Sequence, residues 1–115
     1  MISEFVVEES GQKILIESAQ SFRSRFLGLM FRKNLERGFG LLLNPCNSIH
    51  MMFMRFAIDV VYLDKNFRIQ KLVKNLHPWI GFSMCLKANS TLEIAAGEID
   101  RLGLKVGQLI KQSVN

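Results

Sequence analysis

The pattern of apolar and polar positions predicts a chain built mainly from short β-strands. Residues 2–8 and 13–17, on either side of a turn at Gly11-Gln12, predict an opening hairpin. Further strands are predicted at residues 39–43, 48–56, 58–63, 67–73, 91–96 and 108–112. Within 67–73 the alternation slips by one residue after Ile69, which is typical of a β-bulge.

Two segments carry a helical pattern instead. From Ser18 onwards, apolar side chains recur at the i, i+4, i+7 and i+8 positions of one helix face: Phe22, Phe26, Leu29 and Met30. This spacing predicts an amphipathic helix near residues 18–30, and Ser18 or Ser21 is suited to cap its start. A short helical turn is predicted near 97–102. The expected fold is therefore mainly β, a small antiparallel sandwich or barrel with one amphipathic helix and one short helical turn, in a single domain covering residues 1–115.

Composition narrows the cellular context. The first ten residues carry three glutamates and no basic residue, a pattern that does not fit a secretory signal. No apolar run approaches the length needed to span a bilayer, so the sequence predicts no membrane span and a cytoplasmic location. In that reducing compartment Cys46 and Cys85 are expected to be free thiols. The sequence does not indicate whether these two cysteines are close in space.

The formal net charge of +5 raises the possibility of a nucleic-acid partner. Five cations lie within fifteen residues: Arg23, Arg25, Arg32, Lys33 and Arg37. The sequence shows none of the motifs with which proteins recognise nucleic-acid bases. It has no helix-turn-helix signature, no zinc-finger spacing and no aromatic stacking pair. The interpretation favoured by the sequence is a solvated basic face, and binding of RNA or of a membrane-bound partner through these cations is the alternative.

Residues 45–59 hold the densest collection of reactive side chains. Cys46, His50 and Met54 are ligand types that suit copper(I), but their spacing along a strand does not bring them together. The sequence therefore predicts no metal and no cofactor. Cys46 is also too far along an extended strand to form a catalytic pair with His50. On a strand from Ser48 to Met54, His50, Met52 and Met54 would share one face.

Two carboxylates complete the candidate site. Asp59 stands in an apolar stretch, where a buried charge must accept hydrogen bonds or meet a cation. It is interpreted either as an anchor for backbone N–H groups or as one member of an acid pair with Glu93. Glu93 is flanked by the small residues Thr91 and Ala95, which leaves room for a ligand or exposes the carboxylate to water. The predicted ligand-binding residues are His50, Met52, Met54, Asp59 and Glu93.

An ordered set of short motifs resembles an uncharacterised bacterial and archaeal family, domain of unknown function 192. The motifs are Arg25 with Gly28-Leu29-Met30 and Arg32, Gly38, Pro45-Cys46, Ser48-Ile49-His50-Met51, Met54-Arg55-Phe56, Ile58-Asp59-Val60-Val61-Tyr62-Leu63-Asp64, Pro78-Trp79, Leu92-Glu93-Ile94-Ala95-Ala96-Gly97 and 102–108. The resemblance implies a small β-sandwich of jelly-roll type with helical insertions, and it implies no reaction, cofactor or substrate. Many members carry an export or lipoprotein signal that is not recognised here. The family's usual Gly-Asp is Gly107-Gln108 in this chain.

Two classes of function follow from these residues. The favoured hypothesis is a non-catalytic module that binds a small molecule or a protein, because the sequence shows no convergent nucleophile, base and orienting group. The alternative is a small hydrolase or isomerase that uses Asp59, Glu93 and His50, and it requires these three side chains to share one cleft. The expected oligomeric state is a monomer or a weak dimer.

Overall fold

A computed structural model describes residues 2–19, 35–51 and 54–113 of the chain. Within them lie nine strands: β1 Ile2–Val7, β2 Lys13–Ala19, β3 Phe39–Leu43, β4 Ser48–His50, β5 Ile58–Leu63, β6 Ile69–Leu76, β7 Phe82–Met84, β8 Ser90–Ala95 and β9 Ile110–Gln112. One helix, α1, spans Glu98–Leu102. The prediction of a mainly β fold is confirmed, and so is the short helical turn.

Seven of the strands form one curled sheet in the order β6-β5-β8-β3-β2-β1-β9. An antiparallel bridge between Arg68 and Leu109 joins the two edges of this sheet at one end. Beside it, the Ile69 amide donates to the Gln108 carbonyl at 2.8 Å and the Ile110 amide donates to the Phe67 carbonyl at 3.0 Å. The sheet is thus partly closed into a barrel, and the jelly-roll description stays a prediction.

The sheet buries apolar side chains on both faces, which produces two cores. All seven strands contribute to the first core, inside the curl, and α1 covers it with Ile99 and Leu102. The second core lies on the outer face of β3 and β5, which the small sheet of β4 and β7 covers. Both faces of β5 are buried, and this explains why the strand consists of large, mainly apolar residues with Asp59 as its single carboxylate.

Three sequence predictions need correction. β2 pairs with β3 in parallel, whereas an antiparallel sheet was expected. β2 continues through Ser18 and Ala19, so the predicted amphipathic helix does not begin at Ser18, and its other residues lie outside the described ranges. The strand predicted over 48–56 ends at His50, and Met51 and residues 54–56 are not part of a strand. The Met54 amide donates instead to the Met51 carbonyl at 3.0 Å.

The bulge predicted after Ile69 is confirmed. Lys71 pairs with Tyr62 and Ile69 pairs with Leu63, so Gln70 is the extra residue on β6. A second irregularity lies further along the same strand, where Asn75 adopts a left-handed φ of 53°. This second bulge brings the Asn75 amide to the carboxylate of Asp59.

A buried carboxylate ties α1 to the start of β3. Glu98 accepts hydrogen bonds from the Gly38 amide and from the Arg101 guanidinium, one of them at 2.8 Å. The hydrogen bond from Arg101 lowers the pKa of Glu98 below its ordinary value of 4.5, more strongly than burial raises it. The stabilisation provided by the ionised Glu98 carboxylate is therefore complete above pH 4.5. It is lost as the pH falls through the lowered pKa that Glu98 has in the folded protein.

Replacing Glu98 with glutamine should lower the free energy of unfolding by about 1–2 kcal/mol at neutral pH. The difference between wild type and Glu98→Gln should shrink as the pH falls below 4.5, because the wild-type carboxylate is then neutralised too. Urea unfolding at a series of pH values measures this difference. Glu9→Gln, in an exposed turn, is the control and should match wild type throughout. A difference for Glu98→Gln that stays constant from pH 7 to acid would contradict the assignment.

Candidate functional site

Asp59 acts as an anchor for backbone amides. It lies on β5 with 1% of its surface exposed, and its carboxylate accepts three N–H groups. The donors are Asn75 at 2.8 Å, Gly97 at 3.1 Å and Ile99 at 2.9 Å. The carboxylate therefore connects the bulge on β6 with the start of α1. This geometry corresponds to the anchoring interpretation of the sequence.

Asp59 and Glu93 do not form an acid pair. Asp59 stands opposite Ile94 in the β5–β8 register, on the face of the first core. Glu93 stands opposite Val60, on the face of the second core. Glu93 is 5% exposed, so the interpretation in which water surrounds it is wrong. The strand alternation that separates neighbouring side chains places the two carboxylates on opposite faces of one sheet.

His50 lies apart from both carboxylates. It ends β4, and its side chain is exposed on the small sheet that β4 forms with β7. Met54 is buried in the second core, so it does not share the exposed face of His50. Met52 lies outside the described residues. The three groups required by the hydrolase or isomerase alternative are therefore spread over two sheets and do not share one cleft.

The cysteines occupy neighbouring segments beside the second core. The Cys85 amide donates to the Asn47 carbonyl at 2.9 Å, and the Cys46 thiol donates to the Ser48 carbonyl at 3.2 Å. Cys46 also lines an open depression of about 290 Å³ with Pro45, Asn47, Ala88 and Asn89. Within the described ranges, His, Cys, Asp and Glu side chains form no group of three that could hold a metal ion.

Beneath the small sheet lies the chain's single tyrosine. Tyr62 is fully buried, and burial raises the pKa of its phenol above 10.0, an effect that the nearby Ser83 hydroxyl partly offsets. The hydroxyl groups of Tyr62 and Ser83 make no well-formed hydrogen bond within the described part of the chain. Both side chains are buried on the inner side of β7.

Large apolar side chains are exposed on β7 and in the turns on either side of it. Five such residues fall within eight positions, namely Trp79, Ile80, Phe82, Met84 and Leu86, and we call them the apolar platform. Ile80 is 86% exposed and Leu86 is 78% exposed. The intervening residue Ser83 points inward and is buried. This arrangement reverses the usual one, in which a strand turns its apolar side toward the core.

The platform is held in place from two sides. Phe82 pairs with His50 and Met84 pairs with Ser48, so these polar side chains share its outer face. From β6, the Lys71 ammonium donates to the Met84 carbonyl at 2.8 Å. The Trp79 amide donates to the Met51 carbonyl at 2.7 Å, which fixes the loop before β7 on the second core.

Neither a strand at residues 82–84 nor the apolar platform was predicted from the sequence. The available signal was the alternation of the large residues Ile80, Phe82, Met84 and Leu86 with smaller residues between them. Alternation shows which side chains share a face, but it does not show which face meets the solvent. The long apolar side chains would ordinarily be assigned to the core.

Comparison with known proteins gives the family. The model of domain of unknown function 192 (DUF192), described as an uncharacterized ACR, matches residues 5–112. The chain belongs to the DUF192 family. A UPF0127 protein of Pyrococcus furiosus is 36% identical over 108 residues, covering 88% of this chain and 90% of its own. A UPF0127 protein of Pyrococcus horikoshii is 35% identical over 101 residues, covering 84% and 85%.

Solved structures share the DUF192 fold seen here. A protein of unknown function from Novosphingobium aromaticivorans superimposes with a TM-score of 0.83 at 24% identity, over 96% of this chain and 84% of its own. A protein of Sinorhizobium meliloti, provisionally assigned as a transcription regulator, gives a TM-score of 0.84 at 20% identity over 96% and 92%. At these identities the likeness shows the fold alone. Among the described residues, no helix is long and apolar enough to cross a membrane.

Proposed function

We propose that this chain is a non-catalytic binding module that engages an apolar partner through the apolar platform. The observation that carries the proposal is the clustering of five exposed large apolar side chains on and around one short strand. Single exposed apolar residues are ordinary on protein surfaces, as at Ile2, Leu15 and Val106. A contiguous group of them marks an interaction surface.

Of the ligand-binding residues predicted from sequence, His50 belongs to this proposed surface. His50 pairs with Phe82 across the small sheet, and this supports a role for the imidazole as a polar group that orients the partner. Met54, Asp59 and Glu93 are buried, and the proposal gives them a role in the scaffold instead. The proposal therefore assigns recognition to the small sheet and stability to the curled sheet.

An apolar fluorescent probe tests the proposal. Anilinonaphthalene sulfonate should bind the native protein saturably, and amide chemical-shift changes should map to residues 48–50 and 79–86. Phe82→Asp should weaken this binding at least tenfold, because it places a charge where the probe packs. Val106→Asp is the matched control, since Val106 is equally exposed on a different turn.

Two outcomes would contradict the proposal. One is a set of shift changes centred on the depression at Pro45, Asn47 and Asn89, which would indicate a small-molecule pocket instead. The other is equal weakening by Phe82→Asp and Val106→Asp. Both substituted side chains are exposed, so both variants are expected to keep the native circular dichroism spectrum.

A further inference from the structure

We infer that the partner of the apolar platform is the surface of an anionic lipid bilayer. This inference rests on the proposed binding role and specifies its partner. All five side chains of the platform are exposed, Ile80 and Leu86 most of all. Side chains so exposed do not enclose a small ligand, whereas they can enter the apolar layer below lipid headgroups. Trp79 and Phe82 add the aromatic rings that favour such an interface.

The chain segments that form the platform carry cations and no carboxylate. Residues 38–58 and 65–92, which include both strands of the small sheet, contain no aspartate or glutamate. The same stretches contain six cations, namely Arg55, Lys65, Arg68, Lys71, Lys74 and Lys87. Lys74 is paired with Asp100 at 2.6 Å and Arg68 donates to the Gly107 carbonyl at 2.7 Å, so neither is counted toward the platform. Lys71 touches the backbone of Met84, and Lys87 directly follows Leu86. Cations placed beside inserted apolar groups are the arrangement that binds acidic lipids.

Other partners fit these observations less well. A second copy of the chain on the same face would bring Lys71 and Lys87 of both copies together, and like charges repel. A nucleic acid would use the cations and the rings of Trp79 and Phe82, but it would leave the aliphatic side chains of Ile80 and Leu86 exposed to water. An acidic lipid surface uses the cations and the aliphatic side chains at once.

Vesicle sedimentation tests the inference with the full chain. The protein should bind vesicles of mixed phosphatidylcholine and phosphatidylglycerol and should not bind vesicles of phosphatidylcholine alone. Trp79 is the chain's single tryptophan and is exposed, so its emission should shift to shorter wavelength on binding. Added salt should weaken binding, because it screens the lysines from the lipid phosphates.

Matched variants locate the contact. Ile80→Asp should weaken vesicle binding more than tenfold, whereas Val106→Asp should leave it unchanged. Lys87→Gln should weaken binding about fivefold, the effect of removing one cation near the headgroups. Lys105→Gln, an exposed lysine on the turn that carries Val106, should have no effect.

The outcomes separate this inference from the proposed function. If neither vesicle type binds while the fluorescent probe still maps to the platform, the lipid assignment is overturned and the binding module stands, with a protein as its partner. If the probe also fails to bind the platform, both proposals fall. Equal vesicle binding by Ile80→Asp and wild type, or equal losses for Lys87→Gln and Lys105→Gln, would likewise overturn the lipid assignment.

Discussion

Removing the carboxylate of Asp59 should lower the free energy of unfolding by about 3–5 kcal/mol in Asp59→Ala. The alanine variant leaves the buried amide of Ile99 and the partly buried amides of Asn75 and Gly97 without their acceptor. Each buried N–H that loses its partner costs about 1–3 kcal/mol. Because small domains have about 5–15 kcal/mol of stability in all, this variant is expected to be partly unfolded at physiological temperature.

The measurement is urea unfolding, combined with hydrogen exchange at Asn75 and Ile99. Asp59→Asn keeps one acceptor oxygen, so it should fold and show a smaller loss with faster exchange at these two amides. Asp64→Ala is the matched control, since Asp64 also accepts two backbone amides, those of Asn66 and Arg68, but in a turn open to water. Its loss should be about 1 kcal/mol. Similar losses for Asp59→Ala and Asp64→Ala would show that the three amides find other acceptors.

A methyl group added at Gly81 should destabilise the protein by about 2–3 kcal/mol. The Cβ of an alanine would lie 2.5 Å from the His77 carbonyl oxygen and 2.9 Å from side-chain carbons of both Leu76 and Met51. The Met51 amide already donates to the Gly81 carbonyl at 2.9 Å, so the loop cannot move away without losing backbone hydrogen bonds. Thermal or urea unfolding of Gly81→Ala measures the loss.

Gly11→Ala separates steric crowding from backbone strain. Gly11 has a φ of 76°, where alanine is strained, but its added Cβ would meet no atom within 4 Å. Its expected loss is about 1–2 kcal/mol. Gly81→Ala should exceed this value, and its amide shift changes should centre on residues 76–82 and Met51. A loss for Gly81→Ala no larger than that for Gly11→Ala would show that the loop accommodates a methyl group.

Sequence reasoning predicted best the strands that turn apolar residues to both sides. The predicted bounds 39–43 and 58–63 coincide with β3 and β5, because each run is continuous and ends at a turn signal, Asn44-Pro45 in the first case and Asp64 in the second. The bulge at Gln70 was also predictable, since an extra residue breaks the alternation at the point where it occurs.

Which strands pair, and in which direction, could be predicted less well from the sequence than the bounds of the strands. Both β2 and β3 read as ordinary strands, and nothing in their composition shows that they run parallel. β4 was predicted too long because Met51, Met54 and Phe56 continue the apolar pattern, although the chain turns at Met51 to fill the second core. In such a segment the need to bury methionine side chains outweighs the local preference for an extended backbone.

In the candidate site, too, some features could be predicted from the sequence and others could not. A carboxylate within the run from Ile58 to Leu63 had to be satisfied by donors, and this was predictable from burial alone. The donors themselves come from positions 16 to 40 residues further along the chain, which only the folded sheet brings near. The separation of Asp59 from Glu93 likewise depends on the β5–β8 register, which fixes the face on which each side chain lies.

The pairing of β1 with β9 has a consequence for the rate of folding. β1 pairs with β9, so Phe5 meets Gln112 across almost the entire length of the chain. Contacts between residues so distant in sequence require a large loop to close before they stabilise anything, and proteins dominated by such contacts fold slowly. During synthesis on the ribosome, β1 and β2 can pair early. The other edge of β1 stays unpaired until β9 has been synthesised. Because the pairing of β1 with β9 forms late, we expect a refolding time nearer to seconds than to microseconds.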